Sequence, residues 1–321
     1  MVAAMVALRF KKVACDKSLI KNIFMNCSFY QVDVFTEVPF GGNPLAVVFN
    51  SEELTDDSMQ KIAREMNLSE TAFVLPPGKL PVDFSVRIFT PEKELPFAGH
   101  PSLGTAHILR ETGKVRSGDY PIKLSLKAGI VTITQKDQDN LLVMDQLVPS
   151  FQKPITCAKD VGKALGISTD NISSTAHPIQ IVSTGLPVLV VPVASLKTLQ
   201  SIKVDTIRLR DFLASLGSDL LYAFTMETLN PKSSIHSRAF APELGIAEDP
   251  ATGSAAGAVG AYLSINNLLS ENKCKNILIE QGHMISRPST LFVCIEQIKG
   301  EIKSVKVGGH SVTVIQGNFS I

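Results

Sequence analysis

Cysteine is scarce and dispersed in this 321-residue chain: Cys15, Cys27, Cys157, Cys274 and Cys294 are odd in number and form no C-x-x-C. That pattern argues against a disulfide framework, a zinc knuckle or a dithiol redox site. It fits a reducing compartment, so a cytoplasmic location is expected. Long apolar runs are missing as well. The longest candidate, residues 186–196, contains two prolines and reads as a buried strand, so no membrane span is expected. Charge of one sign does not accumulate either: 31 Lys and Arg stand against 30 Asp and Glu, a formal net charge of +1. With no like-charge run and no alternation of aromatic and basic residues, neither nucleic acid nor a membrane is an expected partner. G-x-G-x-x-G, Walker A, G-x-S-x-G and H-E-x-x-H are all absent. The six histidines lie far apart, with no close pair at metal-ligand spacing, so no metal and no cofactor is expected.

What is present has the composition of a folded domain or two, with 45% hydrophobic and 19% charged residues. Residues 1–27 read as a poorly ordered extension, or in part as sequence upstream of a start at Met25. Arg9, Lys11 and Lys12, with no acid before Asp16, leave a targeting segment as the alternative, which the shortness of the stretch and its few serines disfavour.

The remainder carries the same order of signals twice. A Gly-x-Pro turn (Gly42-Asn43-Pro44; Gly185-Leu186-Pro187) leads into an apolar strand. A helix follows, over about 55–66 in one half and 206–216 in the other. Strands at 71–75 and 84–89 match strands at 220–224 and 235–240. Each half then has a Pro-containing turn, a glycine-bearing loop and a second, strongly apolar helix. His100-Pro101-Ser102-Leu103-Gly104-Thr105-Ala106 aligns with Asp249-Pro250-Ala251-Thr252-Gly253-Ser254-Ala255 at those helix starts. The pattern predicts an α+β fold of two pseudo-symmetric domains, residues 28–148 and 149–309, each a mixed or antiparallel sheet wrapped around a central helix. A last strand within 310–321 is expected to return to the first domain.

Three ionisable residues stand out. A polar residue before Pro marks a helix start, and helix starts bind carboxylates. Asp249 before Pro250 is equally what a plain structural cap looks like. His100 is a less usual residue at such a start, and a lone histidine is more often structural than catalytic. Glu70, between a helix end and a strand, is either a solvated loop carboxylate or a desolvated acid/base with a raised pKa. Gly308-Gly309 reads most simply as a turn, with substrate-contacting backbone as the alternative.

The stretches Gly42-Asn43-Pro44-Leu45-Ala46-Val47, Ser69-Glu70-Thr71, Phe89-Thr90-Pro91 through Pro96-Phe97-Ala98-Gly99-His100-Pro101, and Glu248-Asp249-Pro250-Ala251-Thr252-Gly253-Ser254-Ala255 resemble signatures of the PhzF-like family of phenazine biosynthesis. Gln281-Gly282, Arg287-Pro288-Ser289 and Val307-Gly308-Gly309 look like its later motifs. The resemblance implies a diaminopimelate-epimerase-like fold, a homodimer and an isomerase that needs no cofactor. It implies Glu70 as the acid/base that moves a carbon-bound proton, with His100 and Asp249 orienting the substrate and sharing in proton movements. Ser254 and backbone N–H groups around Gly99 and Gly253 would hold the carboxylate of a small substrate. Epimerases of this fold oppose two cysteines at the helix starts; neither start here has one, so two-thiol inversion is not expected. A thiol-free racemase, or a binding protein without activity, are the competing readings.

Overall fold

The computed structural model describes residues 26–96, 98–116, 121–136 and 140–320. The expected N-terminal extension lies outside the described residues up to position 25, whereas Asn26 and Cys27 already belong to the first strand. In chain order the first strands are β1 (Asn26–Val34), β2 (Asn43–Val48), β3 (Glu70–Leu75), β4 (Phe84–Phe89), β5 (Glu94–Leu95), β6 (Ile122–Leu126), β7 (Gly129–Lys136), β8 (Leu141–Gln146) and β9 (Ser150–Phe151). They continue as β10 (Gln180–Ser183), β11 (Pro187–Pro192), β12 (Leu220–Thr225), β13 (Ile235–Ala241), β14 (Ile246–Asp249), β15 (Ile277–Gln281), β16 (Ser289–Ile298), β17 (Glu301–Gly309) and β18 (Ser311–Ser320). The helices are α1 (Asp56–Met66), α2 (Gly99–Glu111), α3 (Ala158–Leu165), α4 (Asp170–Ser173), α5 (Leu196–Ser201), α6 (Thr206–Leu216), α7 (Gly253–Ile265) and α8 (Glu271–Cys274).

Followed across its hydrogen bonds, the mixed sheet forms one ribbon. It begins β18-β1-β2-β3-β4-β6-β7-β8. Strand β8 then pairs with β17, and the ribbon continues β17-β16-β15-β13-β12-β11-β10-β9. Counted from β18 and from β9, the succession of neighbours is the same: two antiparallel pairs, a parallel one, an antiparallel one, a parallel one, then two antiparallel. Short strands β5 and β14 add to β4 and β13 respectively.

Burial on both faces explains the continuous apolar runs. In β11, Val188 and Val190 join the large core around α7, while Leu189 and Val191 point into a separate core shared with α3 and α6. A strand covered on both sides has no reason to alternate polar residues. Helix α1 shows the opposite case, an amphipathic surface helix that buries Met59, Ile62 and Ala63. Thr55 caps it by accepting from Ser58 N–H, and Asn67 in the left-handed region ends it.

Helices α2 and α7 are the buried ones. Helix α2 packs against β1, β2, β3, β7, β8 and β18, and α7 against β10, β11, β16 and β17. Such close approach leaves no room for a side chain at the contact points. A Cβ on Gly104 would lie 2.6 Å from Leu45 Cδ2, and one on Gly260 2.6 Å from Val293 Cγ1. Gly308-Gly309 is not a turn; it ends strand β17. Added Cβ atoms there would strike Leu142 O and the Phe35 ring, so glycine serves tight sheet packing.

Candidate active site

The two buried helices start beside each other. A Cβ on Gly99, the first residue of α2, would lie 3.6 Å from the backbone nitrogen of Ser254 in the first turn of α7. Neither helix start carries a side-chain cap. Asp249 and His100 do not occupy matching places in these helices, contrary to the alignment of their motifs. His100 lies within the first turn of α2, whereas Asp249 ends β14, and α7 begins only at Gly253, with Thr252 as its N-cap. The reason is tertiary. Pairing of Asp249 with Ala239 on β13 keeps it extended, so the Asp-Pro dipeptide closes a strand instead of opening a helix.

Glu70 is the first residue of β3, only three positions after the Asn67 that stops α1, and its strand runs parallel to β2. It is not a solvated loop carboxylate. Glu70, His100 and Asp249 are 8%, 7% and 7% exposed. Glu70 Oε2 lies 3.2 Å from His100 Nε2. The two lack hydrogen-bond alignment, so each remains a buried polar atom without a partner among the described residues. Burial, and then the neighbouring Asp249 charge, push the Glu70 carboxyl up to about 8. Burial alone lowers the His100 imidazole to about 3, which makes it neutral across the physiological range. A protonated carboxyl beside a neutral imidazole can exchange hydrogen bonds and protons with a third molecule, which is what an acid/base site requires.

Asp249 is also raised by burial, but against two donors that favour its charged form. Asn43 Nδ2 donates to Oδ1 at 2.9 Å and Thr252 Oγ1 donates to Oδ2. Asn43, fully buried at the start of β2, also donates to Ala251 O at 3.0 Å. It joins the strand beside Glu70 to the segment leading into α7. Gln146, at the end of β8, donates to Gly253 O at 2.9 Å and accepts from Thr184 Oγ1 at 2.7 Å. Arg287 reaches from the far half to Asp33 Oδ1 at 2.6 Å and Gly42 O at 3.0 Å.

The structure thus brings Glu70, His100 and Asp249, with Gly99, Gly253 and Ser254, to the place where α2 and α7 meet. Asn43, Thr252, Gln281 and Gln146 have no assigned role in the sequence reading. Asn43, Thr252 and Gln281 do sit within the quoted motifs, and for Gln281 a Gln closing the apolar strand Ile277-Leu278-Ile279-Glu280-Gln281 was the available signal. A surface cavity of about 390 Å³, lined by Thr175, Val193, Phe224, Glu227 and neighbours, includes none of the candidate groups. Among the described residues no three His, Cys, Asp or Glu side chains gather as a metal site, and no helix is long and apolar enough to cross a membrane.

The phenazine biosynthesis-like family PhzC-PhzF matches residues 32–317. A trans-2,3-dihydro-3-hydroxyanthranilate isomerase of Pseudomonas chlororaphis is 35% identical over 293 residues, covering 90% of this chain and 97% of that protein. The crystal structure of a Bacillus anthracis phenazine biosynthesis protein of the PhzF family superposes with a TM-score of 0.83 at 27% identity, covering 92% of this chain and all of the other. A hydroxyproline epimerase from Agrobacterium vitis shares the fold, with a TM-score of 0.61 at 12% identity over 92% of each chain. With a family match across nearly the whole described chain, this protein belongs to the phenazine biosynthesis-like PhzC-PhzF family, as an enzyme of isomerase type.

Proposed function

We propose that this enzyme shifts a proton between carbons of a small carboxylated, unsaturated substrate, with Glu70 as the single acid/base. The observation that carries the reading is a buried glutamic acid held near 8, 3.2 Å from an imidazole Nε2 that has no hydrogen-bond partner among the described residues. In the ionised form, Glu70 takes a proton from a carbon activated by conjugation. The electron pair delocalises through the unsaturated system, and the same carboxyl returns the proton at another carbon, so the substrate's composition is unchanged. At neutral pH about a tenth of Glu70 is ionised, and the remainder is ready to donate.

His100, neutral, and Asp249 orient the substrate's polar groups on either side. The open starts of α2 and α7 supply N–H groups around Gly99 and Gly253, with Ser254, for the substrate carboxylate. In this proposal residues 28–148, joined by 310–321, and 149–309 act as two pseudo-symmetric domains with the site at their junction. The working enzyme is a cytoplasmic homodimer that needs no metal or organic cofactor for this step.

The substrate class follows the relative that isomerises trans-2,3-dihydro-3-hydroxyanthranilate. The test is proton NMR with that compound in deuterated water, for wild type and Glu70→Gln. Turnover with deuterium entering at carbon, lost in the variant, is expected. No wild-type turnover rejects this substrate, and undiminished turnover by Glu70→Gln rejects the role of Glu70. Exchange with inversion at a single carbon would make the enzyme a thiol-free epimerase instead.

A further inference from the structure

We propose that Gln281 is a positioning residue whose side-chain amide fixes the direction of the hydrogen bonds that reach Asp249. The inference deepens the proton-shift reading and rests on it for its catalytic consequence. Gln281 is fully buried, at the last position of β15. Its Nε2 donates to Asp249 O at 2.8 Å and to Thr252 Oγ1 at 2.9 Å. Its Oε1 accepts from Tyr222 Oη at 2.9 Å and from Thr252 N–H at 3.2 Å. All four hydrogen-bonding positions of the amide are therefore filled.

Two of the partners are backbone groups of fixed polarity. A carbonyl can only accept and an N–H can only donate, so the amide cannot be turned around. The consequence passes to Thr252. Its hydroxyl oxygen receives from Gln281, so its own hydrogen is directed to Asp249 Oδ2. On the other oxygen, Asn43 is held the same way, because its Nδ2 also donates to Ala251 O. Asp249 thus faces two donors that cannot reverse, and this arrangement favours its anion. With its own hydrogen given to Gln281, the Tyr222 hydroxyl can only accept from Ser237 Oγ at 2.8 Å; Ser237 also reaches Glu280 O at 2.8 Å, and its single hydrogen serves one of the two at a time.

An anionic Asp249 is one of the two causes that keep the Glu70 proton on. Titratable groups around the pair are His100 on α2, Tyr222 on β12, and Glu248, which is neutralised by Arg238 through contacts of 2.9 and 2.7 Å. With Gln281→Met, the Thr252 hydroxyl is free to turn away and Asp249 loses a guaranteed donor.

The experiment is carboxyl ¹³C NMR titration of the full chain, with signals assigned through Glu70→Gln and Asp249→Asn, in wild type, Gln281→Met and Tyr222→Phe. It needs no substrate, so it stands even if the proposed reaction fails. Gln281→Met is expected to move the Asp249 midpoint up by about one pH unit and the Glu70 midpoint down by less. Tyr222→Phe, which keeps the amide and removes one anchor, is expected to shift them the same way by less. With active substrate, the acid limb of kcat moves down with Glu70, and kcat on the plateau above it falls about tenfold with KM within about threefold. Unmoved midpoints in a folded variant, with only a lower Tm, would make Gln281 merely structural and overturn the proposal. Should Gln281→Met fail to fold, unmoved midpoints in Tyr222→Phe would overturn it equally.

Discussion

Replacing Glu70 by glutamine should stabilise the protein, and by an amount that grows with pH. In the fold this carboxyl titrates near 8, against an ordinary value of 4.5. Below about pH 4.5 it is protonated in folded and unfolded chains alike and contributes no difference. Between about 4.5 and 8 the folded protein retains a proton that the unfolded chain has released. Stability therefore falls as pH rises, by about 1.4 kcal/mol per pH unit, and the loss reaches about 3 kcal/mol at pH 7. Above about 8 it levels off. Glutamine has the same shape and no charge, so the variant escapes the loss. His100 acts in the opposite sense: its folded value near 3 removes stability as pH falls below 6.5, but it does so in both proteins and cancels from the difference. Urea unfolding of wild type and Glu70→Gln between about pH 5 and 9 measures that difference directly. It should be small at the acid end, climb steadily and flatten near pH 8. A difference independent of pH would mean that Glu70 titrates like an exposed carboxylate, and would refute both its desolvation and the basis of its catalytic role.

Two further perturbations test the framework around the site. Gly308→Ala would drive a Cβ against the backbone carbonyl of Leu142 at the β8–β17 junction, where neither strand can yield easily. A loss of about 3 kcal/mol or more is expected in thermal unfolding, and an unchanged Tm would show that the junction is looser than described. Arg238 is buried, paired with Glu248 through two nitrogens, and donates to Leu199 O and Ile202 O at 3.0 Å each. Arg238→Met should destabilise by about 3–5 kcal/mol, because it strands the Glu248 charge. Arg238→Met with Glu248→Gln should recover part of that, and no recovery would mean that the loss is one of packing alone.

Much of the secondary structure was legible along the chain. Thr55 with Asp56 and Asp57 marks the start of α1, and the period of Met59, Ile62, Ala63 and Met66 marks its buried face. Helix α6 runs over the 206–216 expected of it. The glycine- and alanine-rich run 255–261 announces a helix pressed against a sheet, and α7, which carries it, is buried along nearly its whole length. These signals act within one or two turns of chain, so they survive whatever the rest of the molecule does. Asp249 shows where such local reading ends. Asp-Pro looks like a helix start in isolation, yet pairing with β13 extends it, and Asn43, 206 positions away, sets its hydrogen bond. Gly308-Gly309 looks like a turn for the same reason, until strand β8 lies against it.

The sequence by itself determined the main strands and four of the helices, the paired order of signals and the motifs that place Glu70, His100 and Asp249 in one family; helices α3, α4, α5 and α8 were not among its signals. It could not determine their chemistry. Whether Glu70 is solvated or held near 8 depends on water being excluded by α2 and β2, and on a charge from the other end of the chain. Whether Gln281 is a strand residue or a fully bonded anchor depends on Tyr222, Thr252 and Asp249 arriving together. Local signals set where the chain turns and coils; desolvation and long-range hydrogen bonding arise only when distant segments close on one another, and those set the protons.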